Sequence, residues 1–304
     1  MKNTVSEGEP KGWLNVYKPV GMTSFEAVRR VQRVLNTRRV GHAGTLDPDA
    51  CGVLPMAVGS ATRLLQWCED VPKRYRGWVV LGTMTTTGDG AGLVSGQSGP
   101  PFPSATDVEQ GLNYLVGQVL QVPPQVSALK RQGRALHEWV REGHSVWPAP
   151  RLVNVQDIRL ISGTGRRWQI EAEVGKGTYI RALVRDLGGL VGHAAHLEAL
   201  ERRQVGVYAA EEAVCMDHLE REWRKALKPP AFGLAIKTVP VSDTRKKVLV
   251  HGRPIEQWPE LTGFNGEVAL VDDRDDVLAV VVGPPWRYLK VLLRTIGDES
   301  DRTR

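Results

Sequence analysis

The sequence contains few cysteines, and its histidines do not have the spacing of a metal-binding motif. The three cysteines, Cys51, Cys68 and Cys215, lie far apart and form no C-x-x-C pair. This spacing offers neither a disulfide framework nor a zinc site, and it fits a reducing compartment. The seven histidines also lack a zinc-binding pattern, since His193 and His196 do not form an H-E-x-x-H motif. We therefore expect no metal.

Long apolar runs are absent as well. No stretch of membrane-spanning length and no signal peptide occurs, so we expect a cytoplasmic protein without membrane contact. The 304 residues are sufficient for two domains with buried cores. The formal net charge of +6 favours an anionic partner, and nucleic acid is the usual one.

The most informative segment is the loop at residues 41–55, which reads GHAGTLDPDACGVLP. Its glycines allow positive φ or a close approach to a ligand. Pro48 restricts the backbone of Asp47, so that a carboxylate is presented from a stiff loop beside His42. An ordinary surface turn is the alternative interpretation, because Asp, Gly and Pro are all common in turns.

Hydrophobic periodicity predicts strands at 13–17, 78–81, 152–161 and 168–174, with helices between them. Two helices begin with capping boxes, Thr23-x-x-Glu26 and Ser104-x-x-Asp107. The expected apolar stripe of the first helix comprises Phe25, Val28, Val31 and Leu35, while Arg29, Arg30 and Arg33 face away. For these arginines, a solvated face and contact with an RNA backbone both stay open.

Residues 123–151 interleave basic and aromatic side chains. The run PPQVSALK at 123–130 is followed by Arg131, Arg134 and Arg141, with Trp139 among them. Such a surface suits RNA binding, although an amphipathic helix over 133–143 also explains the pattern.

The pattern changes in the C-terminal part. A Pro- and Gly-containing linker is predicted at 228–233. Short strands follow at 248–250, 267–271 and 277–282, and the last two flank an acidic turn that is typical of a hairpin. About sixty residues of short strands predict a small barrel.

Two segments imitate other catalytic sites. Asp47-Pro48-Asp49 has the D-x-D spacing of aspartate-nucleophile phosphatases, but no buried strand precedes it. The turn at 175–178, GKGT, echoes a P-loop, yet Ile170 occupies the position of the first glycine and Gly177 that of the required Ser or Thr. Neither chemistry is expected.

The loop fills every fixed position of the pattern G-H-x-G-x-L-D-P-x-A-x-G-x-L-P, with Ala43 where threonine is common. It resembles the catalytic loop of the TruB family of pseudouridine synthases. The segment L-G-x-x-T-x-T-x-D-x-x-G at 81–92 and the run at 123–130 resemble the same family. The likeness extends over most of the chain, from residue 12 to residue 293.

This resemblance implies an α+β fold with two domains. A catalytic domain at 11–230 would surround a mixed, mainly antiparallel sheet and carry a thumb insertion at 123–151 that folds over RNA. A small β-barrel-like, PUA-like RNA-binding domain would occupy 237–296. We expect a flexible N-terminus at 1–10 and a disordered tail at 297–304.

The resemblance also implies an activity. The enzyme would convert the T-loop uridine at position 55 of tRNA to pseudouridine, as a monomer without cofactor, and its partner would be the T stem-loop of tRNA. Asp47 would be the nucleophile, attacking either the ribose or the base. Arg181 would orient this carboxylate and keep it ionised. Tyr75 would stack on the base and help to remove the C5 proton.

Three further residues match binding positions of the family, and two lysines are expected to contact RNA. His42 would occupy the space that a flipped-out uridine vacates, and Tyr179 and Leu200 would line the uracil pocket. Lys18 and Lys130 would bind phosphates.

Alternatives remain for the two supporting side chains and for the whole chain. Arg181 could be an exposed helix arginine, and Tyr75 a core aromatic of a strand. The chain could bind or fold RNA without catalysis, or modify a different RNA. Pure binding has no need of an aspartate, a tyrosine and an arginine in these positions, which favours the enzyme.

Overall fold

The computed structural model of this chain describes residues 9–127, 129–144 and 146–293. The tail predicted at 297–304 and most of the flexible N-terminus predicted at 1–10 lie outside these residues. Within the described ranges, no helix combines the length and the apolar character needed to cross a membrane.

Eighteen strands are found in the described residues. They are β1 (Gly12–Lys18), β2 (Val40–His42), β3 (Ala50–Val58), β4 (Lys73–Leu81), β5 (Thr83–Thr85), β6 (Val94–Gln97), β7 (Gly117–Gln121), β8 (Lys130–Arg131), β9 (Arg134–Ala135), β10 (Arg151–Thr164), β11 (Arg167–Val174), β12 (Ala195–Val205), β13 (Tyr208–Ala209), β14 (Val214–Cys215), β15 (Lys237–Pro240), β16 (Gly266–Val271), β17 (Val277–Gly283) and β18 (Arg287–Val291).

Seven α-helices accompany these strands in the same part of the chain. They are α1 (Ser24–Val34), α2 (Gln66–Glu69), α3 (Ala105–Asn113), α4 (Leu136–Arg141), α5 (Ile180–Leu190), α6 (Leu219–Ala226) and α7 (Asp243–Val250). Four short 3₁₀ segments lie at Gly59–Leu64, Ala210–Glu212, Met216–His218 and Pro259–Leu261.

A ten-stranded sheet organises the first unit. Its strand order is β14-β1-β3-β12-β4-β11-β10-β7, with β2 beside β3 and β13 beside β12. The pairs β1–β14 and β3–β12 are parallel, and the other neighbours are antiparallel. The predicted α+β class with a mixed, mainly antiparallel sheet is therefore confirmed. The loop that carries Asp47 connects β2 to β3 and thus lies at the centre of this sheet.

The capping box predicted for α1 is present, since Thr23 and Glu26 exchange both capping hydrogen bonds. The predicted apolar stripe is wrong at Phe25, which is 66% exposed. Ser24 faces the protein instead, because its hydroxyl bonds with the backbone of Leu46. Each helical residue advances by about 100°, so position 25 is turned away from the core.

The predicted helix over 133–143 is shorter than expected. Only Leu136–Arg141 is helical, because Gln132 and Gly133 adopt positive φ and turn a two-stranded hairpin, β8–β9, before it.

The second unit contains a four-stranded sheet in the order β15-β16-β17-β18, and the predicted hairpin around 272–276 is present. The strand predicted at 248–250 is wrong, because these residues end helix α7. Asp243 pairs with Lys246 at 2.7 Å, an i,i+3 contact that supports a helix. Of the three apolar residues only Leu249 is buried, as a helix on a sheet requires.

The linker predicted at 228–233 is anchored to the first unit. Lys228 and Trp13 exchange backbone hydrogen bonds of 2.8 Å, and Trp13 Nε1 donates to the carbonyl of Pro230 at 2.9 Å. Trp67 Nε1 also donates to Glu267 on β16 at 2.6 Å. The C-terminal sheet is therefore packed against the first unit.

Candidate active site

The start of helix α1 fixes the loop on both sides of Asp47. Ser24 Oγ accepts a hydrogen bond from the Leu46 amide at 2.9 Å and donates to the Leu46 carbonyl at 3.0 Å. The Gly21 amide donates to the carbonyl of Pro48 at 2.9 Å. The residues before and after the carboxylate are thus both bonded to one segment, which limits the positions that Asp47 can adopt.

A buried lysine supports this loop. Lys18 is 0% exposed, and its ammonium group donates to the carbonyls of Pro19 at 2.8 Å, Met22 at 2.7 Å and Pro48 at 3.3 Å. Burial lowers the pKa of Lys18 to about 8. The phosphate contact expected for Lys18 is incompatible with this arrangement, because its three donors are used inside the protein. We assign Lys18 to support of the loop.

A buried arginine, which sequence reasoning did not assign to the site, holds the other side of the loop. Arg202 is 1% exposed. Its Nε donates to the carbonyl of Val53 at 2.7 Å, and its two terminal nitrogens donate to Gly44 at 3.0 Å and Thr45 at 3.4 Å. One side chain on β12 thereby satisfies three carbonyls in or next to the candidate catalytic loop.

Replacing this arginine should loosen the loop. We expect Arg202→Met to lower the free energy of unfolding by about 3 kcal/mol, because buried carbonyls lose their partner. Urea unfolding of the purified variant measures this. Arg203→Met is the matched control, since Arg203 pairs with Glu201 and Glu211 at the surface and should cost less than about 1 kcal/mol. Equal losses in both variants would contradict the role of Arg202.

Arg181 lies between two carboxylates. Its Nη2 lies 3.0 Å from Asp47 Oδ2, and its Nη1 lies 3.2 Å from Asp89 Oδ2. The same nitrogens donate to the carbonyls of Thr87 at 2.7 Å and Val126 at 3.1 Å. The Arg181 side chain is only 5% exposed, so the alternative of an exposed helix arginine is wrong.

The position of Arg181 follows from its helix. Tyr179 precedes α5 with an extended backbone, and its amide and carbonyl bond with the side chain of Gln121 at 2.9 and 3.2 Å. The first turn of α5 is thereby fixed at the sheet. Arg181, the second helical residue, reaches from there to the Asp47 loop.

The pKa of Asp47 is raised above its ordinary value. Burial is the main cause, and the nearby Asp89 and Asp49 act in the same direction. Arg181 opposes this rise through its charge and its hydrogen bond. Two carboxylates share one guanidinium, so the trio carries a net negative charge when both are ionised. Asp47 is thus a partly desolvated carboxylate with one fixed oxygen.

Asp89 is a second residue that sequence reasoning did not assign to the site. Its Oδ1 accepts hydrogen bonds from Thr87 Oγ1 and from the amide of Ala91 at 3.2 Å. The signal was present in the segment at 81–92, where the acidic position of the pattern is Asp89. These bonds fix its other oxygen, Oδ2, against Arg181.

A cavity of about 400 Å³ opens above this trio. Its walls include His42, Asp47, Tyr75, Tyr179, Arg181 and Leu200, six of the eight residues singled out from the sequence. Lys18 does not line this cavity, since its ammonium group is bonded to the carbonyls of Pro19, Met22 and Pro48. Lys130 lies in β8, and the position of its side chain falls outside what the structure describes.

The cavity walls differ in character. Tyr75, on β4, is 9% exposed, and it is both a core aromatic of a strand and part of the cavity wall. The Arg151 guanidinium lies 5.1 Å from the ring centroid of Tyr179. Burial, together with the charge of Arg202, lowers the pKa of His42, which favours the neutral imidazole. The cavity thus combines aromatic and apolar side chains beside Asp47 with charged side chains, among them Glu69, Lys73 and Lys176.

Among the described residues, no group of three or more His, Cys, Asp or Glu side chains is placed to hold a metal ion.

Sequence comparison connects this site with known enzymes. The profile described as "TruB family pseudouridylate synthase (N terminal domain)" matches residues 32–180. The chain is 36% identical over 283 residues to tRNA pseudouridine synthase B of Streptococcus gordonii, which covers 87% of this chain and 96% of that protein. It is 37% identical over 247 residues to the protein of the same name from Chromohalobacter salexigens, with 80% of each chain covered.

Structural comparison gives the same fold. A chain from the structure of an H/ACA RNP bound to a substrate RNA containing 2′-deoxyuridine superposes with a TM-score of 0.71 and 22% sequence identity. The match covers 93% of this chain and 85% of the other. At this identity the likeness shows a shared fold.

Proposed function

Because the chain belongs to the TruB family of pseudouridylate synthases, we propose that its substrate is tRNA and that it converts the T-loop uridine at position 55 to pseudouridine. The pseudouridine synthase activity follows from the family, and the names of the relatives support tRNA as substrate. The catalytic assignment rests on one observation: Arg181 is buried at the cavity and contacts both Asp47 and Asp89.

The reaction is an isomerisation. The bond between ribose C1′ and uracil N1 breaks, and a bond between C1′ and C5 forms. The C5 hydrogen leaves as a proton, and N1 gains one, so the overall composition is unchanged. No electrons are gained or lost, and we propose a reaction without cofactor or metal. The detached uracil must stay in the cavity while it turns.

Asp47 is the proposed nucleophile. Arg181 engages Oδ2, which leaves Oδ1 for attack on the ribose or on the base. A covalent intermediate divides the isomerisation into two easier steps. Desolvation makes the carboxylate more reactive, and Arg181 prevents the same desolvation from keeping it protonated.

The cavity walls have complementary proposed roles. Tyr75 and Leu200 hold the uracil ring, and Tyr75 assists removal of the C5 proton. Tyr179 closes the cavity from the start of α5. The target uridine must leave the folded T loop, at a cost of about a few kcal/mol. The neutral His42 takes the vacated space.

We assign the catalytic unit to residues 11–230, the RNA-closing thumb to 123–151 and the C-terminal RNA-binding unit to 237–296. Lys130 would reach RNA phosphates from the thumb. The enzyme would act as a monomer on the T stem-loop of one tRNA.

The experiment is pseudouridine formation in an unmodified tRNA transcript, detected by carbodiimide labelling and primer extension. We expect one new stop, at the T-loop uridine. A transcript with cytidine at that position is the matched control and should give no stop. A stop at another uridine would show that the enzyme modifies a different position. Tight tRNA binding without any stop would favour an RNA-binding protein without this activity.

The pH dependence should reflect the raised pKa of Asp47. Only the ionised carboxylate attacks, so kcat/KM should fall as the pH drops through this pKa. The acidic limb should therefore lie above the range of an ordinary aspartate. A pH–rate profile measures the limb. A profile that stays flat down to the ordinary aspartate range would contradict a desolvated nucleophile.

A further inference from the structure

Helix α1 carries an exposed stripe that the catalytic assignment does not use. Phe25 is 66% exposed, and the Arg29 guanidinium lies 5.2 Å from its ring centroid. Arg33 follows one turn later on the same face. We call the exposed side chains Phe25, Arg29 and Arg33 of α1, together with Arg38 in the segment that follows the helix, the α1 stripe.

The arginines of this stripe differ from two neighbouring arginines in their ion pairing. Arg30, on the flank of α1, pairs with Asp217 at 3.3 Å, and Arg39 pairs with Glu9 at 3.7 Å. Within the described residues, neither Arg29, Arg33 nor Arg38 forms an ion pair.

The carboxylate of α1, Glu26, is directed to the start of the helix, and no ion pair joins it to these arginines in the described residues. Glu26 accepts hydrogen bonds from the Thr23 amide at 2.7 Å and the Thr23 hydroxyl at 2.8 Å, and so closes the capping box. Within the described residues, the stripe is therefore an exposed surface of arginines without ion-pair partners.

The stripe has a concave part. An open groove of about 510 Å³ lies at the C-terminal half of α1 and is lined by Arg29, Gln32, Arg33, Asn36, Thr37 and Arg38. All six side chains are basic or polar. Guanidinium groups beside amide and hydroxyl groups bind phosphate oxygens well.

Both ends of the stripe lead to the candidate active site. At the first end, Ser24 bonds with Leu46, the residue before Asp47. At the second end, Arg38 and Arg39 run directly into β2, which ends at His42 in the cavity wall. Between these ends α1 is about 16 Å long, a length that can follow the backbone of an RNA strand.

We propose that the α1 stripe is a second RNA-binding surface, on which Arg29, Arg33 and Arg38 bind phosphates of the substrate RNA and Phe25 stacks on one of its bases. An aromatic ring at the end of a basic groove is how proteins bind RNA strands without reading sequence. This inference rests on the proposed function, since it assumes an RNA substrate in the cavity. It assigns the stripe to positioning, with no part in bond making.

The test compares unpaired with paired arginines. The triple variant Arg29→Gln, Arg33→Gln, Arg38→Gln should raise KM for tRNA transcript about tenfold and leave kcat within about twofold. Its slope of log affinity against log salt should become shallower by about 2 to 3, one for each lost phosphate contact. Arg30→Gln with Arg39→Gln is the control of the same region and should change both quantities much less.

Phe25 is tested separately. Phe25→Ala should raise KM for tRNA about tenfold. Phe25→Tyr should keep KM near the wild-type value, because a tyrosine ring can also stack on a base. Phe25→Leu keeps an apolar side chain without a ring, and its KM should be raised as in Phe25→Ala. Thermal unfolding of each variant shows whether it is folded. The single variants Arg29→Gln and Arg30→Gln repeat the comparison of an unpaired with a paired arginine.

The outcomes separate the two proposals. If the wild-type protein forms pseudouridine and the triple variant has the KM and salt slope of the control, the α1 stripe does not bind RNA. If the wild-type protein forms no pseudouridine in any tRNA, the proposed function fails instead.

Discussion

Asp47→Asn should lower kcat by about 10⁴-fold or more while tRNA affinity changes by less than about threefold. The amide has nearly the shape of the carboxylate and can still contact Arg181, so the loop should keep its position. It is a far weaker nucleophile and cannot form the covalent intermediate. Single-turnover assays with enzyme in excess measure the chemical step, and filter binding measures the affinity.

Asp49→Asn is the matched control for this substitution. Asp49 is an exposed carboxylate two residues further along the same loop, and its replacement removes the same charge. We expect a change in kcat of less than about threefold. If Asp47→Asn kept a tenth of the wild-type rate, or if both variants lost activity alike, Asp47 would not be the nucleophile.

Arg181→Met should lower kcat by about 10³-fold. Without the guanidinium, Asp47 and Asp89 face each other uncompensated, so the pKa of Asp47 should rise further and its free oxygen should lose its direction. The carbonyls of Thr87 and Val126 also lose a donor, so we expect about 2 kcal/mol of lost stability. Urea unfolding and single-turnover rates measure the two effects.

The pH profile distinguishes a catalytic from a structural role for Arg181. If Arg181 keeps Asp47 ionised, the acidic limb of Arg181→Met should move to higher pH, and raising the pH should recover part of the rate. Arg185→Met is the matched control, one turn further along α5, where Arg185 bonds with Asp186 and Val122. A lower rate with an unmoved acidic limb in Arg181→Met would leave Arg181 only a structural role.

Local patterns in the sequence predicted much of this fold. The capping boxes at Thr23 and Ser104 start helices as expected, and the period-two run at 168–174 lies in β11. These features depend on neighbours within a few residues. Helix α7 was missed because Val248, Leu249 and Val250 suit a strand by composition, whereas packing against the C-terminal sheet selects a helix.

The supporting side chains of the site were less predictable. Arg202 bonds with carbonyls about 150 residues away along the chain, and no local pattern encodes such a pair. Lys18 was expected at RNA phosphates as a basic side chain of an RNA-binding protein, yet its ammonium group lies within reach of three carbonyls. Asp89 lies in a segment that the sequence did point out, but only the fold shows that it faces Arg181.

In the proposed function, Asp47 drives isomerisation of the T-loop uridine of tRNA. A tRNA transcript carrying tritium at C5 of its uridines tests this directly, because forming the C1′–C5 bond releases the C5 hydrogen to water. We predict that the wild-type protein releases one equivalent of tritium per tRNA, that Asp47→Asn releases none, and that a transcript with cytidine at the T-loop position releases none with either. Equal release by the wild-type protein and Asp47→Asn would contradict the role of Asp47. Release that is independent of the T-loop uridine would contradict the proposed target.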